Sequence, residues 1–229
     1  NTTSASAQHA TIGGGLMNAV NGPHSTVAGG RDNTSTLSYA TVGGGSDNFA
    51  RQNWATVAGG NNNDASAQYT TIAGGVNNIA SGTYAMVPGG LTNSAVGTYS
   101  FAAGRRAKAN HSGAFVWGDD TNADMASSAA NQFIARASGG VTFYSNTTAT
   151  TGVTVASGGG SWSSVSDRNL KANFEDVDSR IILDRLAAIR IQSWNYKSQS
   201  QSIRHIGPMA QDFHAAFGVG EDERHITNV

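Results

Sequence analysis

The sequence predicts a mainly β protein: a parallel β-solenoid first, then a short β neck, then a small α+β domain. Three observations predict it. One fifteen-residue phrase recurs in register through the first half of the chain. Glycine and β-branched residues dominate that phrase. Charge and helical spacing return only towards the C-terminus.

The phrase reads "TIAGGVNNIA" at residues 71–80. A β-branched apolar residue stands at Ile12, Val27, Val42, Val57, Ile72 and Val87, always 15 apart. Thr precedes it from Thr11 to Thr71, a glycine pair follows, and an Asn falls six residues on, from Asn18 to Asn93. Three residues before it sits a ring: His9, His24, Tyr39, Trp54, Tyr69 and Tyr84, with Tyr99 continuing the series. A fixed period of this size marks stacked units, each touching only its neighbours. Fifteen residues are too few for a helical hairpin, and the β-branched, Gly-punctuated phrase favours short strands and turns. Strand alternation puts the Ile/Val series inside and the Thr series outside. The repeated Asn is expected to stack from coil to coil and satisfy buried turn backbone with its amide. Glycine supplies positive φ at the corners.

Each coil offers its interior one branched residue and a few alanines, so an isolated roll buries little apolar surface for its length. The ring stripe adds large side chains that also need cover. Closed association of identical chains would supply it.

Composition excludes several classes. The 229 residues carry 14 Lys+Arg against 15 Asp+Glu, a formal net charge of -1, which gives no basic surplus for nucleic acid or anionic membrane. There is no Cys, so neither disulfides nor thiolate metal sites are expected. No apolar run is long enough for a membrane span, and no signal peptide opens the chain. The chain begins at Asn1 inside repeat material and reads as a piece of something longer.

The ladders admit other readings. A Thr array suits ice binding, but Met86 and Phe101 interrupt it. Nonapeptide calcium repeats need an Asp that this phrase lacks. The ring stripe Tyr39, Trp54, Tyr69, Tyr84 and Tyr99 serves either as packing between subunits or as a platform for sugars. His9 and His24 have no neighbouring ligand set, so no metal and no cofactor is expected. Glycoside hydrolysis needs two carboxyls across a cleft. Before residue 105 the acids are Asp32, Asp47 and Asp64, and the first two occupy the same repeat position.

The phrase "ATVAGGNNNDASAQYTTIAGGVNNIASGTYAMVPGG" resembles the YadA-like head of trimeric autotransporter adhesins, a likeness covering residues 9–118. That resemblance implies a left-handed parallel β-roll and a homotrimer, neither of which the periodicity itself fixes. The head is expected over 1–118, with Arg105, Arg106 and Lys108 forming a polar cap on the solenoid. The neck and connector follow over 119–165. Within them "NQFIARASGGVTFYS" reads as a hairpin turning at Gly139-Gly140, and 146–161 as an uncharged connector.

Of the 29 charged residues, 17 lie in the last 64 positions. "DSRIILDRLAAIRIQSW" has helical spacing, "WNYK" reads as a strand, and "GPMAQDFHAAFG" as a helix with Pro208 in its first turn and Gly218 past its end. "SVSDRNLKANF", "WNYK" and "RHIGPMAQDFHAAFGVGEDERHI" resemble the endosialidase-type intramolecular chaperone, over residues 166–229. Members of that family assist trimer assembly of phage tail spikes, tail fibres and surface fibres, and usually then cut themselves off. They continue into a helical segment beyond the point matching Val229. The resemblance places the cut before the Ser of a Ser-Asp-x-x-x-Lys motif, here Ser166, Asp167 and Lys171, so at Val165–Ser166. A serine hydroxyl needs a base, and a neutral lysine can be one. Ser166 is therefore the expected nucleophile and Lys171 its base, with Arg168 a candidate for lowering the lysine's pKa and Asp167 unassigned. Spacing alone favours a plain N-cap, Ser-Asp being a frequent start of a helical turn, and it is the surrounding resemblance that favours the dyad.

These readings together describe a homotrimeric extracellular fibre. It displays or attaches at a bacterial surface through an unidentified receptor or glycan, and its only catalysis is one cut on itself. The alternative owner is a virion: a phage tail fibre or spike that binds or depolymerises host polysaccharide.

Overall fold

The structure is a computed structural model that describes residues 1–4 and 6–226, so the last three positions of the expected 166–229 domain lie outside the described residues. The chain divides into two units, Asn1–Val165 and Ser166–Val229.

In the first unit each phrase makes one coil with two short strands. Strands such as Thr26–Val27, Thr41–Val42 and Thr56–Val57 stack in parallel into a ten-stranded sheet. Strands such as Thr34–Ser35, Phe49–Ala50 and Asp64–Ala65 build a nine-stranded sheet on the other side. The register is one repeat, Thr26 opposite Thr41 and Val27 opposite Val42. Strands stay this short because every coil must turn repeatedly. Gly60 is one such turn: its φ is +92°, and a Cβ there would lie 2.2 Å from the Gly75 carbonyl oxygen of the next coil. Only glycine fits both the dihedral and the gap.

The core is as thin as the sequence implies. Val27, Val42, Val57, Ile72 and Val87 are fully buried, opposed by Ala50, Ala65, Ala80 and Ala95 from the second sheet. Beside them runs a buried ladder of amides. Asn63 Nδ2 donates to the carbonyl oxygens of Gly59 (3.0 Å) and Gly75 (2.9 Å), and its Oδ1 accepts from the backbone N–H of Asn78 (3.0 Å). The same pattern recurs at Asn33, Asn48, Asn78 and Asn93. Each amide thereby pairs backbone groups of two successive coils that water cannot reach.

The stack runs past Gly118. Phe115–Gly118 pairs in parallel with Phe133–Arg136, and Ala107–Ala109 with Met125–Ala126. Two expectations are corrected here. Gly139-Gly140 joins no hairpin, because Phe133–Arg136 is the last solenoid rung and pairs backwards in parallel. The antiparallel hairpin is formed instead by Gly140–Tyr144 with Gly152–Ala156, the latter inside the segment read as connector, and Ser163–Ser164 adds a third strand. Nor do the basic residues cap the stack. Arg105 Nη1 donates to the Asp120 carbonyl at 2.9 Å, Arg106 Nε to Asp124 at 2.7 Å, and Lys108 Nζ to the Thr92 carbonyl at 2.6 Å. Two of these reach forward and one back, so they tie the irregular last coils together.

The second unit contains helix α1 (Ser179–Ala188), a two-stranded antiparallel sheet (Gln192–Trp194 with His205–Gly207) and helix α2 (Ala210–Phe217). Asp178 caps α1, accepting from the backbone N–H groups of Arg180 and Ile181. Gly218, at φ +66°, ends α2 as expected. Pro208 lies ahead of the α2 N-cap, Met209, rather than in the first turn, and the strand read at "WNYK" ends at Trp194. Among its described residues this unit buries one hydrophobic side chain, Ile189.

Candidate functional site

The motif Ser166-Asp167-x-x-x-Lys171 folds on itself through a single turn of 3-10 helix, Arg168–Leu170. Asp167 is the N-cap: its Oδ1 accepts from the Asn169 backbone N–H at 2.9 Å and from Asn169 Nδ2 at 3.1 Å. At the other end the Lys171 N–H donates to the Arg168 carbonyl at 3.2 Å. One short turn between positions 166 and 171 brings their side chains together, and Lys171 Nζ lies 2.6 Å from Ser166 Oγ. The capping reading and the dyad reading are thus compatible. Asp167 makes the turn, and the turn makes the pair. This gives the motif's middle residue a positioning part that spacing alone left open.

Chemically the pair is assembled but wet. Lys171 Nζ donates to the hydroxyl, and both residues are exposed. A lysine acts as base once desolvation or a cationic neighbour removes its proton. The Arg168 guanidinium carbon sits 4.9 Å from the centre of the Phe174 ring. What the pair lacks is cover. On the preceding side, the Val165 N–H donates to the Gly152 carbonyl at 3.2 Å, anchoring that residue to the three-stranded sheet.

The second expected feature, the ring stripe, is a continuous stack. From His9 through His24, Tyr39, Trp54, Tyr69 and Tyr84 to Tyr99, successive ring centres lie 4.9–5.5 Å apart and within 10° of parallel. All seven residues have φ between 57° and 61°, left-handed values that cost a non-glycine residue about 1–2 kcal/mol. Stacking at this spacing contributes about 0.5–1.5 kcal/mol per pair and offsets much of that. Neighbouring rings already occupy the faces that a sugar would stack on, and solvent meets mostly ring edges. Tyr99 differs, because the next coil places Gly113 beyond it, and it is 67% exposed against 40–48% for the stripe's other tyrosines and Trp54.

The head's carboxylates are paired along the surface and do not converge. Arg31 bridges Asp32 (3.3 Å) and Asp47 (3.9 Å), and Arg51 binds Asp64 (2.8 Å). A clamp that the sequence reading missed lies in the last coil. Asp119 accepts from Arg136 Nε at 2.8 Å and from the Ser138 N–H at 2.8 Å, while Arg136 also donates to the carbonyls of Ala123 and Thr121. The Ser138 N–H, followed by the Arg136 guanidinium, holds the Asp119 carboxyl far below the usual carboxylate range. Also missed was a second ring stack, Phe101–Phe115–Phe133, at 4.4 and 4.9 Å. Counting the Thr position onward through irregular steps of 14 and 18 residues would have found it.

Among the described residues no helix is long and apolar enough to cross a membrane. No curated protein matches the chain. Residues 166–219, most of the second unit and the Ser-Asp-x-x-x-Lys motif with it, match the family described as the chaperone of endosialidase.

Proposed function

We propose that this chain is part of a homotrimeric extracellular fibre, in which the solenoid is a rigid head for display or attachment and the C-terminal unit drives assembly of three copies. The observation that carries this is the state of the C-terminal unit. It is similar to an assembly-chaperone family, yet among its described residues it buries a single hydrophobic side chain and leaves Leu183, Leu186, Ile191, Tyr196 and Ile206 more than half exposed. A unit of that size with no core of its own needs other chains to cover those residues. The head gains from being templated, because identical repeats can pair one coil out of step, and an assembly domain that fixes the relative height of three chains removes that error. The YadA-like resemblance of residues 9–118 supports an adhesive head at a bacterial surface.

The same reading assigns one covalent step. Once neighbouring copies cover it, Lys171 is neutral and accepts the Ser166 hydroxyl proton as Oγ attacks the Val165 carbonyl carbon. The Val165–Ser166 C–N bond breaks, and the Ser166 nitrogen takes up a proton. Water then hydrolyses the resulting ester, leaving a Val165 carboxylate and restoring the hydroxyl. The chain divides into its two units at this bond, so the cut severs no core.

Intact mass under native and denaturing conditions tests both parts. The expected result is a trimer whose chains split after Val165, with Ser166→Ala and Lys171→Ala remaining trimeric and whole. A trimer that stays whole in all three forms removes the cleavage, and a monomer at every concentration removes the fibre.

A further inference from the structure

The outer face of the ten-stranded sheet differs from the outer face of the nine-stranded sheet. Two columns of residues point outward from it. One is threonine from Thr11 to Thr71 and continues as Met86, Phe101, Phe115 and Phe133. The other holds only Gly, Ala and Pro from Gly13 to Ala103, then Trp117, beside Phe115, and Ala135. Among the described residues neither column contains a charge over the whole height of the stack. The outer face of the nine-stranded sheet is unlike it, carrying Arg51, Asp64 and Lys108. Towards its lower end the ten-stranded face becomes aromatic. Trp117, Phe133, Phe143 and Trp162 line an open cleft of about 460 Å³ there, and Phe133 is 69% exposed.

We propose that this face is where copies of the chain pack on one another, which rests on the trimeric reading above and assigns the surface that it uses. Parallel sheets occur almost only with both faces covered, and this one has its inner face in the coil and its outer face bare. Symmetry selects the occupant. Around an axis parallel to the stack, each copy presents the same coil at the same height, so residues of one coil meet residues of that coil, and those nearest the axis meet their own counterparts. The nine-stranded face would then set Asp64 against Asp64 and Lys108 against Lys108, a costly arrangement. The ten-stranded face sets threonine, alanine and phenylalanine against themselves at no electrostatic cost, and its small residues let the sheets approach to about 10 Å. Nine stacked strands spaced about 4.8 Å apart and about four residues wide give on the order of 560 Å² per copy. The aromatic cleft extends this towards the roughly 800 Å² per partner of a stable interface. The ring stripe from His9 to Tyr99, two residues before each threonine, then forms the rim of the contact rather than its centre.

Arginine scanning with native mass spectrometry of the full chain tests the assignment. Ala58→Arg and Ala73→Arg place a charge at outward positions of this face, and Ser66→Arg and Ser81→Arg do so on the opposite sheet. A charge at the symmetric contact would be buried without a partner. The first pair is therefore expected to raise the concentration for half-assembly by about a hundredfold or more with unchanged far-UV circular dichroism, and the second pair to leave it as in the wild type. Because the chain has no cysteine, Ala58→Cys supplies a single thiol, which should crosslink between chains with a short bismaleimide, whereas Ser66→Cys should not. Trimers of normal stability in all four arginine variants, or crosslinking at Ser66→Cys instead of Ala58→Cys, would overturn the assignment and leave the face to another occupant. A wild-type monomer would overturn the trimeric reading itself.

Discussion

The amide ladder makes a strong demand on chemistry at positions shaped identically for Asn and Asp. Consider Asn63→Asp. In the wild type the Nδ2 group faces the carbonyl oxygens of Gly59 and Gly75 and lies 3.1 Å from Asn48 Oδ1, so three acceptors converge on one donor. A carboxylate there would point negative charge at three oxygens in a fully buried site. Its native pKa must therefore rise above the unfolded value of about 3.9. Above that unfolded value the native state binds a proton that the unfolded state has released, so stability falls with rising pH until the native pKa is passed. Below about pH 4 both states are protonated and the penalty vanishes. Each pH unit in the window costs about 1.4 kcal/mol, so a native pKa near 7 or higher implies a loss on the order of 4 kcal/mol at pH 7. At pH 4 the acid's single O–H replaces only one of the amide's hydrogen bonds, a residual cost of about 1 kcal/mol. Asn63→Ala instead leaves the Gly59 and Gly75 carbonyls and the Asn78 N–H unpaired, costing about 3 kcal/mol or more at any pH. Thermal unfolding of the three proteins followed by circular dichroism from pH 4 to pH 8 separates these cases. Asn63→Asp should approach the wild type at pH 4 and Asn63→Ala at pH 7. If Asn63→Asp ran parallel to the wild type across the range, the donor role of the amide would be refuted.

Other consequences can be measured on the same protein. Gly60→Ala should cost about 3 kcal/mol or more in denaturant unfolding, because its Cβ meets a carbonyl oxygen at 2.2 Å at a left-handed φ, while the neighbouring Gly59→Ala, with nothing closer than 4.0 Å, should stay within about 1 kcal/mol of wild type. Trp54→Ala removes stacking on both Tyr39 and Tyr69 and should lose about 1–3 kcal/mol, most of it recovered by Trp54→Tyr. Asp119 has a depressed native pKa, so its contribution is complete above its ordinary value of 3.8 and is lost as pH falls below it. Hydrogen exchange of residues 119–138 should accelerate in that acidic range, and Asp119→Asn should show the faster exchange already at neutral pH.

The sequence by itself determined the repeating part of this protein. A coil that touches only its neighbours repeats its constraints with its residues, so one phrase was enough to place Val42 inside, Asn48 in a ladder and Gly45 at a corner. The motif at Ser166 to Lys171 was legible for a related reason, since one local turn brings its ends together without help from distant chain. Tertiary structure alone decided what followed once the period broke. After Tyr99 the steps become irregular, and Phe133–Arg136 could be read locally either as half of a hairpin or as a last rung. The hydrogen-bonding edge offered by Phe115–Gly118 settled it, together with the Asp119–Arg136 clamp that closes the irregular loop between them. The same holds for the charge-free face. Its residues are scattered fifteen apart in the chain, and only stacking gathers threonine, alanine and phenylalanine into one continuous surface, because shared height along the solenoid is a property of strand register and not of sequence distance.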